Sequence, residues 1–214
     1  MTGKFISFEG PDGAGKTSVL AAIVERLSSY YGDDLLLTRE PGGRDNVVAE
    51  AIRDLVLSPD YPEMDPRTEA LLYAASRREH IQKTIKPALV AGKLVISDRY
   101  VDSSIAYQGA GREIGFEAVL QVNQFAIEDF WPDKTIYLDI RPEVGLARIN
   151  QYRTDEINRL DMDPLSFHQR VSAGYHRLAK MAPDRIVVID AEQPLEQVIE
   201  DVWQVLSQEL KVED

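Results

Sequence analysis

The chain has no cysteine, which rules out both a disulfide framework and a thiolate metal site. It is also short of basic residues: 24 Lys and Arg against 36 Asp and Glu leave a net charge of -12 and a pI near 4.8. A surface of that sign repels the phosphate backbone of a nucleic acid and an anionic membrane, so a polymeric anion is excluded as partner. No apolar run approaches the roughly 18 residues that a membrane span requires. Met1 leads straight into an apolar, strand-like stretch without the basic, apolar and small-residue succession of a secretion signal. These absences together predict a cytoplasmic protein. A small phosphate ligand stays open to it, because arginines and backbone amides at contact distance outweigh distant charges that salt screens within about 10 Å. Arginines are then expected to cluster locally.

The sequence has 214 residues, 44% of them hydrophobic, enough for one substantial core and a single domain over residues 1–214. Five short apolar runs, Phe5 to Phe8, Leu35 to Thr38, Leu94 to Ser97, Thr135 to Leu138 and Ile186 to Ile189, alternate with helical patterns. The runs are nearly continuous in apolar residues, as parallel strands covered on both faces must be. The expected class is therefore α/β, a three-layer fold around a five-stranded parallel sheet. Helices are expected at about Lys16 to Tyr31, Val47 to Leu57, Arg67 to Ala91, Phe116 to Asp129, Val144 to Tyr152, Pro164 to Ala182 and Leu195 to Leu210, with Pro87 dividing the third.

Between the first strand and the first helix stands Gly10-Pro11-Asp12-Gly13-Ala14-Gly15-Lys16-Thr17, followed by Ser18. This is the pattern of a phosphate-binding P-loop in its required context. Glycines let backbone N–H groups converge on phosphate oxygens at a helix amino terminus; Lys16 would reach the β and γ oxygens and the Thr17 hydroxyl would sit on Mg²⁺. The loop alone leaves the reaction open. A GTPase would read guanine through an Asn-Lys-x-Asp segment, and none follows any strand here.

The acceptor side is read from strand ends, where open α/β sheets bind ligands. Arg39 closes the second strand ahead of Glu40-Pro41-Gly42-Gly43, and Asp98-Arg99-Tyr100 closes the third. Asp98 can hold a water on Mg²⁺, and the planar fork of Arg99 can bridge two phosphates. Tyr73 and Arg77, four residues apart, share a helix face and could stack on a base and donate to its carbonyl, the alternative being a tyrosine packed in the core with an arginine at the rim. If the segment after Asp98 is helical, Ser104 and Gln108 also share a face and reach the polar edge of a pyrimidine.

Phe8-Glu9-Gly10 through Thr17, Arg39-Glu40-Pro41-Gly42-Gly43, Leu72-Tyr73-Ala74-Ala75-Ser76-Arg77-Arg78-Glu79-His80, Asp98-Arg99-Tyr100, Ala106-Tyr107-Gln108-Gly109, Asn158-Arg159-Leu160-Asp161 and Phe167-His168 together resemble bacterial thymidylate kinases over essentially the whole chain. The resemblance implies phosphorylation of dTMP to dTDP by ATP with Mg²⁺, on the way to dTTP for DNA synthesis, in a homodimer. It implies that Arg39, Arg53 and Arg99 hold the acceptor phosphate, that Arg77, Ser104 and Gln108 read thymine, that Tyr107 packs against the deoxyribose and that Asp12 meets the 3′-hydroxyl. The family usually stacks thymine on phenylalanine, where this chain has Tyr73. Some members carry an arginine in the phosphate loop at the position of Gly13; in the others a mobile lid brings the cations, and the segment at about 148–160, with Arg148, Arg153 and Arg159, matches it. Arg153 is the lid arginine expected to act on the transferred group. Two other readings stay open: a P-loop kinase for a different nucleoside monophosphate, and a non-catalytic nucleotide switch.

Overall fold

The computed structural model describes residues 3–43, 45–152 and 163–212. Its centre is a sheet of five parallel strands, β1 Lys4–Glu9, β2 Leu35–Arg39, β3 Leu94–Asp98, β4 Lys134–Asp139 and β5 Ile186–Asp190, in the order β2-β3-β1-β4-β5. All five expected runs are strands, each longer by one or two polar residues at its ends. Around the sheet lie α1 Lys16–Tyr31, α2 Val47–Leu57, α3 Pro66–His80, α4 Lys86–Val90, α5 Val101–Ser104, α6 Phe116–Ile127, α7 Pro142–Tyr152, α8 Leu165–Met181 and α9 Leu195–Leu210.

Strand periodicity sorts the central strand onto two cores. Phe5 packs with Val95, Tyr137 and the apolar faces of α6 and α8, whereas Ile6 and Phe8 pack with Ile96, Leu138, α1 and α9. Val19, Leu20, Ile23 and Leu27 form the buried stripe of α1, at helical spacing. Full burial of each such side chain stabilises the fold by about 1.5–3 kcal/mol. The same alternation sends Ser7 and Glu9 to the face of Phe5, where Ser7 meets Thr135 at 2.8 Å and Glu9 becomes a buried carboxylate.

Two helical regions differ from expectation. Pro87 does divide the third helix, but the break is a π-helical turn at Ile81–Ile85, upstream of the proline. Pro87 has no N–H to return to the carbonyl of Lys83, and its ring crowds that carbonyl, so the preceding turn widens. After β3 the chain is helical through α5 and a π-helical segment, Ile105–Gly111, despite its serines and glycines. Packing holds it there: a Cβ on Gly174 of α8 would stand 3.1 Å from the Ala106 Cα, so the two backbones touch.

Register brings the functional strand ends to one edge. Phe8 and Arg39 both pair with Asp98, so the chain leaving β1, β2 and β3 enters one crevice. The helix after β1 covers one face of the sheet and those after β3 cover the other, which opens the crevice between them.

Candidate active site

The phosphate loop turns through two left-handed glycines, Gly13 at φ 80° and Gly15 at φ 83°. Gly15 caps α1 without any side-chain hydrogen bond, leaving the first amides of the helix for an anion. A Cβ on Gly13 would lie 2.2 Å from the Gly145 carbonyl oxygen of α7. An arginine at this position is therefore excluded by backbone contact, and any cation for the transferred group must arrive from elsewhere. Lys16 folds over the loop, donating to Gly10 O at 2.9 Å and Pro11 O at 3.1 Å. Burial, then the charge of Arg99, lowers its pKa to about 8.

Two cavities adjoin this loop. One, of about 870 Å³, is lined by Asp12 through Val19, Arg148, Ala191, Gln193, Leu195 and Val198. The other, of about 330 Å³, is lined by Arg39, Arg53, Tyr73, Arg77, Ser104, Tyr107 and Gln108. Asp12, Thr17, Asp98 and Arg99 belong to both.

Arg99 occupies that junction. Its Nη1 donates to Gly10 O at 2.8 Å and its Nη2 to Asp12 Oδ1 at 2.8 Å, with the guanidinium 5.1 Å from the Tyr107 ring centre. Burial opposes its charge, but Tyr107, Asp12, Tyr175 and Asp98 around it hold its pKa well above the usual value. Arg39 at the end of β2 and Arg53 on α2 converge on one carbonyl: both donate to Pro41 O at 2.9 Å, and Arg39 also pairs with Glu50. Burial, then the neighbouring Arg39, lowers the Arg53 pKa. Such a crowded pair of cations favours an anion between them.

Tyr73 and Arg77 share a face, but Arg77 is no rim residue: only 2% of it is exposed. Its Nε donates to Glu40 at 2.7 Å, and its terminal nitrogens bond Ser104 Oγ, Asn123 Oδ1 and the Tyr100 carbonyl. Arg148 Nη1 donates to Ala191 O at 2.9 Å on the wall of the larger cavity. The expected lid begins within α7; Arg153 and Arg159 lie outside the described residues.

Three features escaped the sequence reading. Glu9 accepts from Tyr100 N at 2.8 Å, Ser103 Oγ at 2.5 Å and Tyr175 OH at 2.9 Å, tying β1 to the start of α5 and to α8. Burial, then Asp102, pushes its pKa up to about 7. A carboxylate ending an apolar strand was the available signal. Glu69, completely buried, continues the Tyr73–Arg77 face one turn back. The far wall of the larger cavity comes from the region after β5, with no sequence tie to the loop.

The Thr17 side chain stands at the cavity junction, and buried Asp98 Oδ1 has no hydrogen-bond partner among the described residues. A hydroxyl and an unmatched carboxylate oxygen suit a hard, partly hydrated cation such as Mg²⁺. No group of three or more His, Asp or Glu side chains among the described residues could hold a metal ion by itself.

A phosphate loop opening onto a donor cavity, joined through one arginine to a smaller arginine-lined cavity, defines the class: an ATP-dependent P-loop nucleoside monophosphate kinase. The thymidylate kinase family model matches residues 8–202. The thymidylate kinase of Pediococcus pentosaceus is 59% identical over 208 residues, 97% of this chain and 99% of that one. The thymidylate kinase of Lactiplantibacillus plantarum is 55% identical, over 98% of this chain and 94% of its own. The crystal structure of thymidylate kinase from Ehrlichia chaffeensis superposes with a TM-score of 0.78 at 35% identity, covering 97% of this chain and 100% of that one. The chain belongs to the thymidylate kinase family.

Proposed function

We propose that the chain transfers the γ-phosphoryl group of ATP to the 5′-phosphate of dTMP, yielding dTDP and ADP and so feeding the supply of dTTP for DNA synthesis. The observation that carries this reading is the meeting of the two cavities at Asp12, Thr17, Asp98 and Arg99. ATP lies in the larger cavity, with Gly10 through Ser18 around its phosphates and Arg148 beside it. The nucleotide acceptor lies in the smaller one, its phosphate among Arg39, Arg53 and Arg99. Tyr73 stacks on thymine, while Arg77, Ser104 and Gln108 meet its polar edge. Tyr107 fills the place of a 2′-hydroxyl, and Asp12 meets the 3′-hydroxyl.

The acceptor oxygen is already anionic near neutral pH, so no general base is needed. Its bond to the γ-phosphorus forms as the bond from that phosphorus to the β-bridging oxygen breaks. Lys16 takes up charge on the transferred group and Arg99 holds the two nucleotides in line. Mg²⁺, held by Thr17 and through water by Asp98, would neutralise phosphate charge when bound. Arg153 and Arg159, outside the described residues, are proposed to supply cations to the transferred group, since the Gly145 contact bars one from position 13.

The test is ADP release from ATP and Mg²⁺ across dTMP, dUMP, UMP, dCMP, dGMP and AMP, with and without the metal ion. Release that depends on dTMP far more than on any other acceptor is expected. Release dependent on another monophosphate would keep the phosphate loop and overturn the base assignment.

We also propose a cytoplasmic homodimer. No described helix is long and apolar enough to cross a membrane. Val47 and Val48 on α2, Leu71 on α3 and Phe125 on α6 are exposed, Phe125 to 89%, and these three helices pack side by side. Covering such a patch is expected to drive association. Sedimentation velocity should give a dimer for the wild type and a monomer for Phe125→Asp; a monomeric wild type would overturn the assembly.

A further inference from the structure

Gln108 lines the acceptor cavity, and its amide nitrogen donates to Glu69 Oε1 at 2.8 Å. A carboxylate offers acceptors only, so the amide can meet Glu69 nitrogen first and in no other way. Its carbonyl oxygen is thereby left to the cavity. Glu69 is itself anchored. Arg112 Nε donates to the same oxygen at 3.3 Å, Arg112 Nη1 reaches Asp163 Oδ1 at 2.6 Å, and the guanidinium lies 4.6 Å from the Phe167 ring centre. Glu69, Tyr73 and Arg77 follow one another at four-residue spacing along one face of α3, so the residue that orients Gln108 is built into the helix that supplies the pocket's ring and guanidinium.

We propose that Glu69 is a specificity-determining positioning residue: by holding Gln108 carbonyl-inward, it makes the pocket accept a pyrimidine with an N–H at position 3 and reject one with a lone pair there. The proposal rests on the dTMP reading. Thymine offers N3–H to the Gln108 oxygen and its 4-carbonyl to Arg77, which can only donate. A cytosine ring would set its N3 lone pair against the Gln108 oxygen and its amino group against the guanidinium. Both contacts leave polar groups unpaired on side chains that are only 2% exposed.

The test compares dTMP with 5-methyl-dCMP, which differs from it only along this edge, in the wild type and in Glu69→Gln. Glutamine at 69 offers a donor as well as an acceptor, so Gln108 is no longer compelled to face one way. The preference for dTMP is expected to fall about tenfold or more, through a raised KM for dTMP with kcat within about twofold of wild type. A purely structural role would lower stability without moving the preference. A wild type that phosphorylates dTMP, together with a folded Glu69→Gln whose preference is unchanged, overturns the role of Glu69 alone. A wild type inactive on dTMP overturns the dTMP reading itself. Should Glu69→Gln fail to fold, ¹H–¹⁵N spectra of the wild type decide: one Gln108 side-chain N–H protected from solvent exchange before dTMP is added is expected, and two freely exchanging protons overturn the proposal.

Discussion

Lys16→Ala is expected to lower kcat for dTMP-dependent ADP release by roughly a hundred- to a thousandfold, the range for removing one preorganised charge stabiliser. The fold should survive. The ammonium makes its contacts with two loop carbonyls, Gly10 O and Pro11 O, beside a cavity from which water can replace it. Turnover within tenfold of wild type would remove Lys16 from the mechanism. A pH dependence accompanies this. Burial and Arg99 hold the free lysine to about 8, whereas a bound polyphosphate favours its charged form. A ligand that prefers the protonated state binds less well once the free protein loses that proton. The KM for ATP is therefore expected to rise as pH climbs through about 8, and to stay flat below it. In Lys16→Ala that rise should vanish, which separates it from any titration of the nucleotide or of other groups.

Much of this architecture was legible because its signals are local. Five apolar runs become five strands, and the glycine pattern after the first becomes a phosphate loop, since both depend on periodicity and backbone freedom that neighbouring residues set. Tyr73 and Arg77 share a face as four-residue spacing requires. The burial of Arg77 was not legible: a charged side chain defaults to the surface, and its partners Glu40, Tyr100, Ser104 and Asn123 come from three other segments. The helical segment after β3 was unreadable for a related reason. Serine and glycine give it little intrinsic preference, and its helicity is imposed by contact with α8 through Gly174. Glu9 and Glu69 sit in readable elements, yet their partners, Tyr175 and Arg112, are known only once the chain has folded.

Replacing Arg99 should have the largest effect, because it alone among the acceptor-side arginines touches both cavities. Arg99→Ala is expected to reduce kcat by roughly 10³–10⁵-fold, the span for an arginine that neutralises charge on a transferred phosphoryl group. Arg99→Lys should recover little of it, since one compact ammonium lacks the planar fork that reaches Gly10 O from Nη1 and Asp12 from Nη2, and that would span two phosphates. The backbone here supplies an independent check. Arg99 lies at φ 67°, a left-handed conformation that carries about 1–2 kcal/mol of strain in a residue with a Cβ. Its N–H is bonded to Phe8 O at 2.8 Å and its carbonyl accepts from Ser97 Oγ at 2.7 Å, so β1 and β3 hold the turn in place. That turn swings the guanidinium back over the phosphate loop. Arg99→Gly and Arg99→Ala should then be equally inactive, but the glycine variant should be the more stable by about 1 kcal/mol, because only alanine must bear the strained backbone. Chemical denaturation of the two variants measures that difference. An alanine variant as stable as the glycine one would mean that the turn carries no strain, and that the position of Arg99 is set by its side-chain contacts alone.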